Sequence, residues 1–401
     1  MNKYPLSSVS EVIRGVTFSK AEGATTLSDD RLPVIRAGSI QQSLLLDEGQ
    51  IWIPAKKIKP NQMIRENDIV MCTSSGSSDL VGKCAKSTQD WAGSFGAFCA
   101  GIRADESKCS SSYLYHFLCS PHFRNWTKTS SGANIKNIRA SELAAFEIPL
   151  PPLEEQKRIA AILDKADAIR RKRQQAIDLT DQLLRSVFLD MFGDPVTNPK
   201  GWEIQKLKDI ARIQIGPFGT QLHKEDYVED GIPLVNPKHI VDGKVVPANK
   251  LTITELKHDE LPEYHLAESD IIMGRRGEMG RCALITKREN GWLCGTGSLF
   301  IRPHNKGVFS EYLYALLSGP TIKAHLESES LGATMPNLNK GIVGNIDIPV
   351  PNNEVLRKYS DTRKKYDVLV DNNRRFIEAT LFESLSQQAF HGELSKQTKA
   401  A

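Results

Sequence analysis

Long apolar segments are absent from this sequence of 401 residues. A membrane-spanning helix needs about 20 consecutive apolar residues, and no run approaches that length. The first residues, Met1 to Pro5, lead into polar residues and lack the apolar segment of a secretory signal peptide. We therefore expect a protein that neither crosses a membrane nor carries a secretory leader.

Cysteine is scarce and is not arranged in pairs. The seven cysteines are odd in number, and no two of them are separated by two residues. This arrangement offers neither a zinc-ligand pattern nor a disulfide framework, so we expect a reducing cytoplasm and buried thiols. The net charge is small, because 52 basic and 48 acidic side chains give +4. A mildly basic chain is compatible with nucleic acid but does not by itself indicate it.

The short motifs of common enzymes are also missing. The Asn- or Asp-Pro-Pro-aromatic motif of an amino-methyltransferase does not occur, nor does H-E-x-x-H or G-x-S-x-G. Gly295 to Ser298 lacks the third glycine of a dinucleotide-binding loop. The segment from Gly76 to Cys84 ends in cysteine where a phosphate loop needs Ser or Thr. These absences favour a non-catalytic chain that itself binds no metal and no cofactor.

The most informative positive feature is an internal repeat. Residues 148–151 read Ile-Pro-Leu-Pro, and residues 348–351 read Ile-Pro-Val-Pro, 200 residues later. The same offset relates Pro33 to Pro233. A long repeat at a constant offset indicates one unit duplicated within the polypeptide, so we predict two similar domains. Two such domains at a fixed separation suit a protein that reads DNA in two parts.

Each copy of the repeat is followed by a segment with helical spacing. Glu154 to Phe192 contains no Gly or Pro and predicts a long amphipathic helix, and residues 353–390 predict a second one, two residues shorter near Thr380. We expect these helices to pack antiparallel on heptad positions. The predicted packing residues are Ile159, Ile162, Ala166, Ile169, Leu183, Val187, Tyr366, Leu369, Phe376 and Leu381.

The predicted fold class is α+β, with two similar globular domains joined by two long antiparallel helices that form a coiled-coil spacer of pseudo-two-fold symmetry. The predicted segments are a first domain at 1–151, a central helix at 152–194, a second domain at 195–351, a C-terminal helix at 352–394 and a tail at 395–401.

The candidate DNA-reading surfaces are three pairs of repeat-equivalent loops, because both domains should use the same face. The pairs are 36–39 with 236–239, 73–76 with 274–277, and 134–139 with 334–340. Their polar and cationic side chains are of the types that contact bases and phosphates. Ordinary loop variation, solvated turns and turn capping are the alternatives at these positions. The candidate DNA-binding residues are Arg36, Ser39, Lys136, Asn137, Arg139, Asn236, Lys238, His239, Arg275, Arg276, Asn337 and Lys340.

The junction between the first domain and the central helix carries a family resemblance. Residues 148–159 read Ile-Pro-Leu-Pro-Pro-Leu-Glu-Glu-Gln-Lys-Arg-Ile, and a long helix follows. The sequence resembles the specificity (S) subunits of Type I restriction-modification systems over essentially its whole length. The second copy departs from the pattern, because residues 352–356 read Asn-Asn-Glu-Val-Leu, so contacts there are expected to be weaker or asymmetric.

The resemblance implies two target recognition domains that each read one part of a split, asymmetric double-stranded DNA site. It implies helices that act as a ruler and bind two methylation (M) subunits, and a system that includes two restriction/translocase (R) subunits where these are present. S-adenosylmethionine, ATP and Mg²⁺ are then expected on those partners and not on this chain. The implied location is the cytoplasm of a bacterium or archaeon, on DNA.

Two other functions remain open from the residues alone. One is a self-sufficient DNA methyltransferase or nuclease, against which the missing motifs count. The other is a coiled-coil scaffold whose domains bind proteins and not DNA.

Overall fold

The structure is a computed structural model that describes residues 2–77, 79–129, 136–218, 221–248, 250–276, 280–329, 337–378 and 381–391. The chain forms two compact units. Unit 1 consists of Met1–Gln175 with Asn373–Ala401, and unit 2 consists of Ala176–Asn372. Each unit therefore contains one copy of the repeat and parts of both long helical segments. The predicted α+β class with two similar globular domains is confirmed.

Unit 1 contains eleven strands in the part that the structure describes. They are β1 (Lys3–Pro5), β2 (Ser10–Arg14), β3 (Arg31–Ile35), β4 (Ile51–Pro54), β5 (Ile69–Cys72), β6 (Ser74–Ser75), β7 (Cys84–Lys86), β8 (Ser94–Phe95), β9 (Cys99–Ala104), β10 (Lys136–Asn137) and β11 (Glu147–Pro149). An antiparallel sheet has the order β2-β9-β5-β7, and a second sheet has the order β4-β3-β8. The short pairs β1–β11 and β6–β10 lie outside these sheets.

The helices of this half of the chain are α1 (Ser111–Cys119), α2 (Pro121–Thr129), α3 (Ala140–Ala145) and the long α4 (Leu153–Phe192). They cover one face of the larger sheet. Successive side chains of a strand point to opposite faces, and β5 follows this rule. Ile69 and Met71 join the core beneath the helices, while Val70 and Cys72 join the core against the smaller sheet.

Unit 2 repeats this arrangement with its own strands. They are β12 (Glu203–Lys206), β13 (Ala211–Ile215), β14 (Tyr227–Val228), β15 (Ile232–Val235), β16 (Ile240–Val241), β17 (Lys244–Val245), β18 (Thr252–Ile253), β19 (Ile271–Gly274), β20 (Cys282–Leu284), β21 (Leu293–Cys294), β22 (Ser298–Pro303) and β23 (Asp347–Val350). The sheet β13-β22-β19-β20 matches β2-β9-β5-β7 strand for strand. The sheet β14-β18-β15-β21 contains the parallel pair β15–β21, which matches β3–β8.

The remaining helices are α5 (Leu207–Ile210), α6 (Glu255–Asp259), α7 (Val308–Leu317), α8 (Pro320–Glu329), α9 (Lys340–Gly344), α10 (Asn353–Glu378) and α11 (Leu381–His391). No helix in the described residues is long and apolar enough to cross a membrane.

The Ile-Pro-x-Pro junction has the same structural role in both copies. The hydroxyl of Tyr113 donates to the carbonyl oxygen of Pro149 at 2.7 Å, and Tyr312 donates to Pro349 at 2.6 Å. All of these atoms are buried. The junction therefore fixes the start of each long helix to the helix that covers the sheet.

In the first turn of the long helix, the two copies differ at residues 156 and 356. Gln156 is buried, accepts a hydrogen bond from the Ser110 amide at 3.0 Å, and donates to the Lys108 and Pro151 carbonyl oxygens at 3.0 and 2.9 Å. Leu356 takes the corresponding position in unit 2 and lies in the apolar core. The departure seen in the sequence therefore replaces three polar contacts with apolar packing.

Each long helical segment begins in one unit and ends in the core of the other. Phe192, at the end of α4, packs on Tyr312 and Tyr359 of unit 2 with ring centroids 4.7 and 5.2 Å apart. Phe390, in α11, packs on Tyr113 of unit 1 at 5.5 Å. Ala389 of α11 also shares a core cluster with Ile159 of α4, so in each unit the beginning of one helical segment lies in the same core as the end of the other.

The predicted heptad register departs from the observed burial. Ile159 and Ala166 are buried, Ile162, Val187 and Tyr366 are half-buried, but Ile169 and Leu183 are each 48% exposed and Leu369 is 53% exposed. The side chains of Phe376 and Leu381, and the whole of Thr380, lie outside the described residues. Ile169 and Leu183 therefore do not form a buried seam within the described chain, and their contact with a partner stays a prediction.

The physical reason is the period of the helix. The buried residues Ala166, Ile177 and Phe188 are spaced by 177 − 166 = 11 and 188 − 177 = 11. An 11-residue repeat corresponds to about 3.67 residues per turn, so a strict heptad from Ile159 drifts off the buried face. The predicted segment boundaries at 152–194 and 352–394 stay a prediction, because the compact units cut across both helical segments.

Candidate nucleic-acid interface

The three candidate loops of unit 1 lie next to one another. Residues 136–137 pair antiparallel with residues 74–75, with Asn137 opposite Ser74. A groove of about 740 Å³ brings the turn Arg36–Ser39 together with Ser74 to Gly76, and Phe98 lines it as well. Segments separated by up to about a hundred residues therefore form one continuous surface.

The three candidate loops of unit 2 are joined by a chain of hydrogen bonds. The amide of Gly297 donates to the Asn236 Oδ1 at 3.3 Å. The carbonyl oxygen of Gly297 accepts from the amide of Arg275 at 3.0 Å. The Arg275 Nε donates to the Asn337 Oδ1 at 3.0 Å. One candidate residue from each loop thus takes part in a single network.

The backbone frame beneath the loops is the same in the two units. The Gly96 amide donates to the Ile35 carbonyl oxygen at 2.9 Å, and Gly295 donates to Val235 at 3.0 Å. The Thr73 amide donates to the Phe98 carbonyl oxygen at 2.9 Å, and in unit 2 the Arg275 amide donates to Gly297 at 3.0 Å. The Ile138 amide donates to the Thr73 carbonyl oxygen at 2.8 Å, and in unit 2 the Leu338 amide donates to Arg275 at 3.0 Å. The frame is thus shared while the side chains on it differ.

Two equivalent glycines allow the close approach within this frame. A Cβ atom on Gly15 would lie 2.1 Å from the carbonyl oxygen of Gly96, and one on Gly216 would lie 2.0 Å from that of Gly295. Real Cβ contacts are never that short, so any larger residue would push the two segments apart. This pair is a sequence signal for the frame that the loops alone do not provide.

The candidate residues of unit 1 are mostly accessible. Arg36, Asn137 and Arg139 are exposed, whereas Ser39 is buried in its turn. Arg139 also precedes α3, where its amide donates to Glu142 Oε2 at 3.0 Å. The backbone of Lys136 belongs to β10, but its side chain lies outside the described part of the chain.

In unit 2 the exposed candidates are cationic. Lys238, Arg276 and Lys340 are exposed, while Asn236 and Asn337 are half-buried. Three exposed cations on the loop surface match the chemistry of phosphate oxygens and of guanine edges.

Two further candidates in unit 2 are buried. His239 lies with its Nδ1 3.2 Å from the Asn236 amide nitrogen and 3.0 Å from the Leu234 carbonyl oxygen, and burial lowers its pKa. Burial, and then the neighbouring Arg276, lowers the pKa of Arg275. Burial argues against direct DNA contact by Ser39, His239 and Arg275, whose observed contacts hold the loops in place.

Phe98 is a surface residue that the sequence reasoning missed. Its side chain is 68% exposed and lines the groove of unit 1. A comparison of equivalent positions could have found it, because Phe98 takes the place in unit 1 that Gly297 has in unit 2 and the two residues differ in type. Among the described residues, no cluster of His, Cys, Asp or Glu is arranged to hold a metal ion.

Comparison with known proteins shows the family to which this chain belongs. The sequence profile of the Type I restriction modification DNA specificity domain matches residues 1–179 and matches again at residues 199–377. The chain belongs to this family. The two matched ranges correspond to the two copies of the repeat, and they show the resemblance seen at the junction to be a family relationship. This chain is therefore a specificity subunit with two target recognition domains.

Curated relatives extend over nearly the whole chain. The Type I restriction enzyme EcoKI specificity subunit of Escherichia coli K12 is 29% identical over 99% of this chain and 89% of its own length. The StySPI specificity subunit of Salmonella potsdam is 28% identical over the same shares.

Solved structures share the fold. The Type I restriction-modification S subunit from M. genitalium matches with a TM-score of 0.55 and 16% identity, over 97% of this chain and 96% of that one. A chain from a study of complex assembly and conformational transition in the type I R-M system matches with a TM-score of 0.50, 17% identity and 98% coverage of both chains.

Proposed function

We propose that each unit of this specificity subunit reads one half of a bipartite, asymmetric double-stranded DNA target. The observation that carries the proposal is the shared frame with different side chains. Three matched backbone hydrogen bonds hold equivalent loops in both units, yet the exposed residues on those loops differ. One scaffold with two sets of reading residues is what two unlike half-sites require.

The chemistry of the two surfaces supports different readings. Unit 2 exposes Lys238, Arg276 and Lys340, which suit phosphates and guanine. Unit 1 exposes Arg36 and Asn137, and an asparagine can bind the edge of an adenine in a bidentate manner.

The long helices set the length of the unspecified spacer between the half-sites. The 40 residues of α4 correspond to about 60 Å at about 1.5 Å per residue. Its first turns are buried in unit 1, where Ile159 and Leu163 join the core, and Phe188 and Phe192 at its other end join the core of unit 2. Each end of α4 thus joins the core of a different unit, as a spacer element requires.

The exposed side of α4 is the surface for methylation subunits. Ile169, Leu179, Leu183 and Leu189 are between 48% and 55% exposed on this helix. Exposed apolar side chains of this size are typical of protein interfaces. The relatives are named as specificity subunits of Type I restriction enzymes, and one similar structure comes from a study of how that type of system assembles.

The chemistry is supplied by those partners. The complex contains two M subunits that bind S-adenosylmethionine and, where encoded, two R subunits that bind ATP and Mg²⁺. This chain catalyses nothing and acts in the cytoplasm on DNA.

Methylation mapping of host DNA with and without this gene tests the proposal. We expect a split motif with a fixed spacer that is methylated only when the gene is present. Unchanged methylation in the presence of active partner subunits would contradict the proposal. Methylation by the purified chain alone would contradict its non-catalytic part.

A further inference from the structure

Phe98 is an exposed aromatic residue of unit 1 whose backbone is held by hydrogen bonds. Its carbonyl oxygen accepts hydrogen bonds from the Thr73 amide at 2.9 Å, the Ser74 amide at 3.2 Å and the Thr73 hydroxyl at 3.1 Å. Its ring is nevertheless 68% exposed. The backbone therefore fixes the position of a large apolar group that packing within the unit leaves mostly in water.

A second apolar side chain lines the same groove. Leu45 is 40% exposed, and its amide donates to the Ser39 carbonyl oxygen at 2.9 Å. Arg36 and Glu48 supply charges to the lining. The groove thus combines apolar surface with polar groups. This combination suits the edge of a base pair that carries both polar atoms and an apolar group.

Unit 2 has no side chain at the equivalent position, and any side chain there would require the neighbouring loop to shift. Gly297 lies there, and a Cβ atom on it would be 2.9 Å from the Cδ of Pro237. The Cγ of Pro237 and the Oδ1 of Asn236 would lie 3.3 and 3.8 Å from the same Cβ atom. The apolar contact surface is therefore a property of the first domain and not of the shared frame.

A base pair presents one apolar group in the major groove, which is the 5-methyl group of thymine. We propose that Phe98 recognises this methyl group in the half-site read by the first domain. This assignment rests on the proposed function, and it predicts that the first half-site contains a thymine on at least one strand. Phe98 is then a specificity-determining residue of the first domain.

The test replaces thymine by deoxyuridine, which lacks only the methyl group. The whole complex with its methylation subunits is used, with duplexes that carry the mapped motif and one thymine-to-uracil change at a time. For the unaltered complex, we expect one change in the first half-site to weaken binding about fourfold, as for the loss of one buried methyl group. Phe98→Ala should be insensitive to that change, and Phe98→Leu should retain part of the sensitivity.

Two controls separate this contact from general effects. Leu27→Ala removes another exposed apolar side chain of unit 1, 69% exposed and outside the groove, and should leave the uracil response intact. Uracil in the second half-site should affect the wild type and Phe98→Ala equally.

Three results would overturn the inference. The first is a mapped first half-site that contains no thymine. The second is the absence of any position at which uracil weakens binding of the wild type more than binding of Phe98→Ala. The third is that Phe98→Ala weakens binding equally on the thymine and uracil duplexes, as expected for a ring inserted between base pairs. A complex that methylates no split motif at all would instead contradict the proposed function.

Discussion

At the scale of single residues, an arginine–aspartate pair marks the duplicated frame most clearly. Arg103 binds Asp68 through its Nε and Nη2 at 2.8 and 2.6 Å, and Arg302 binds Asp270 at the same two distances. Both aspartates are buried. A bidentate pair of this kind constrains orientation as well as distance, and here it joins β9 or β22 to the turn before β5 or β19.

Arg302→Met should destabilise unit 2 strongly. Asp270 is fully buried, and the substitution removes the partner of its charge, which costs about 3 to 5 kcal/mol for a buried pair. The measurement is the change in the free energy of unfolding. Lys358→Met breaks an exposed helical pair with Glu354 and is the matched control, with a much smaller expected loss because solvent screens exposed pairs. Equal losses in the two variants would contradict this role for Asp270.

His239 should make unit 2 sensitive to acid. Because burial lowers the pKa of His239 in the folded chain, the unfolded chain takes up its proton first. The penalty is therefore absent above the unperturbed pKa of about 6.5, grows as the pH falls from there towards the lower, folded pKa, and is constant below it. His239→Asn should lose less stability than the wild type when the pH falls from about 7.5 to about 5.5.

Unfolding midpoints at both pH values measure this effect. His325→Asn alters an exposed histidine of the same unit and should behave as the wild type. The same loss of stability in His239→Asn and the wild type would show that His239 does not contribute.

At the scale of elements, the sequence predicted more of the helices than of their packing. The absence of Gly and Pro from 154–192 was sufficient to predict α4, and Gly193 follows its end with a positive φ of 79°. The heptad did not predict the buried face, because Ile169 and Leu183 are apolar but exposed. Apolar character does not distinguish a side chain buried within the chain from one available to a partner.

Lengthening the helices should change the spacer of the DNA target. Four residues inserted after Thr180, with a matching insertion after Asn372, add about 6 Å to each helix at about 1.5 Å per residue. We expect the methylated motif to gain about two base pairs of spacer at about 3.4 Å each, with both half-sites unchanged. Methylome sequencing measures both properties, and altered half-site sequences would show that the helices do not act as a ruler.

At the scale of the whole molecule, duplication could be predicted from the sequence, while the assembly of the reading surfaces could not. The offset of 200 residues predicted two copies, and the matched hydrogen bonds pair Thr73 with Arg275 and Phe98 with Gly297. The offset gave no indication that Asn236, Arg275 and Asn337 meet in one network, because long-range strand pairing brings them together. Sequence reasoning also gave no indication of Phe98, because aromatic residues are usually buried and only the folded chain shows that this one is exposed.

The independence of the two reading surfaces is tested most directly by methylome sequencing of two double variants. Arg36→Ala with Asn137→Ala alters unit 1, and Lys238→Ala with Arg276→Ala alters unit 2, all at exposed positions. The first variant should relax the sequence requirement in one half of the motif, and the second should relax it in the other half, with the spacer constant in both. A variant that relaxes both halves, or two variants that relax the same half, would contradict one reader per half-site.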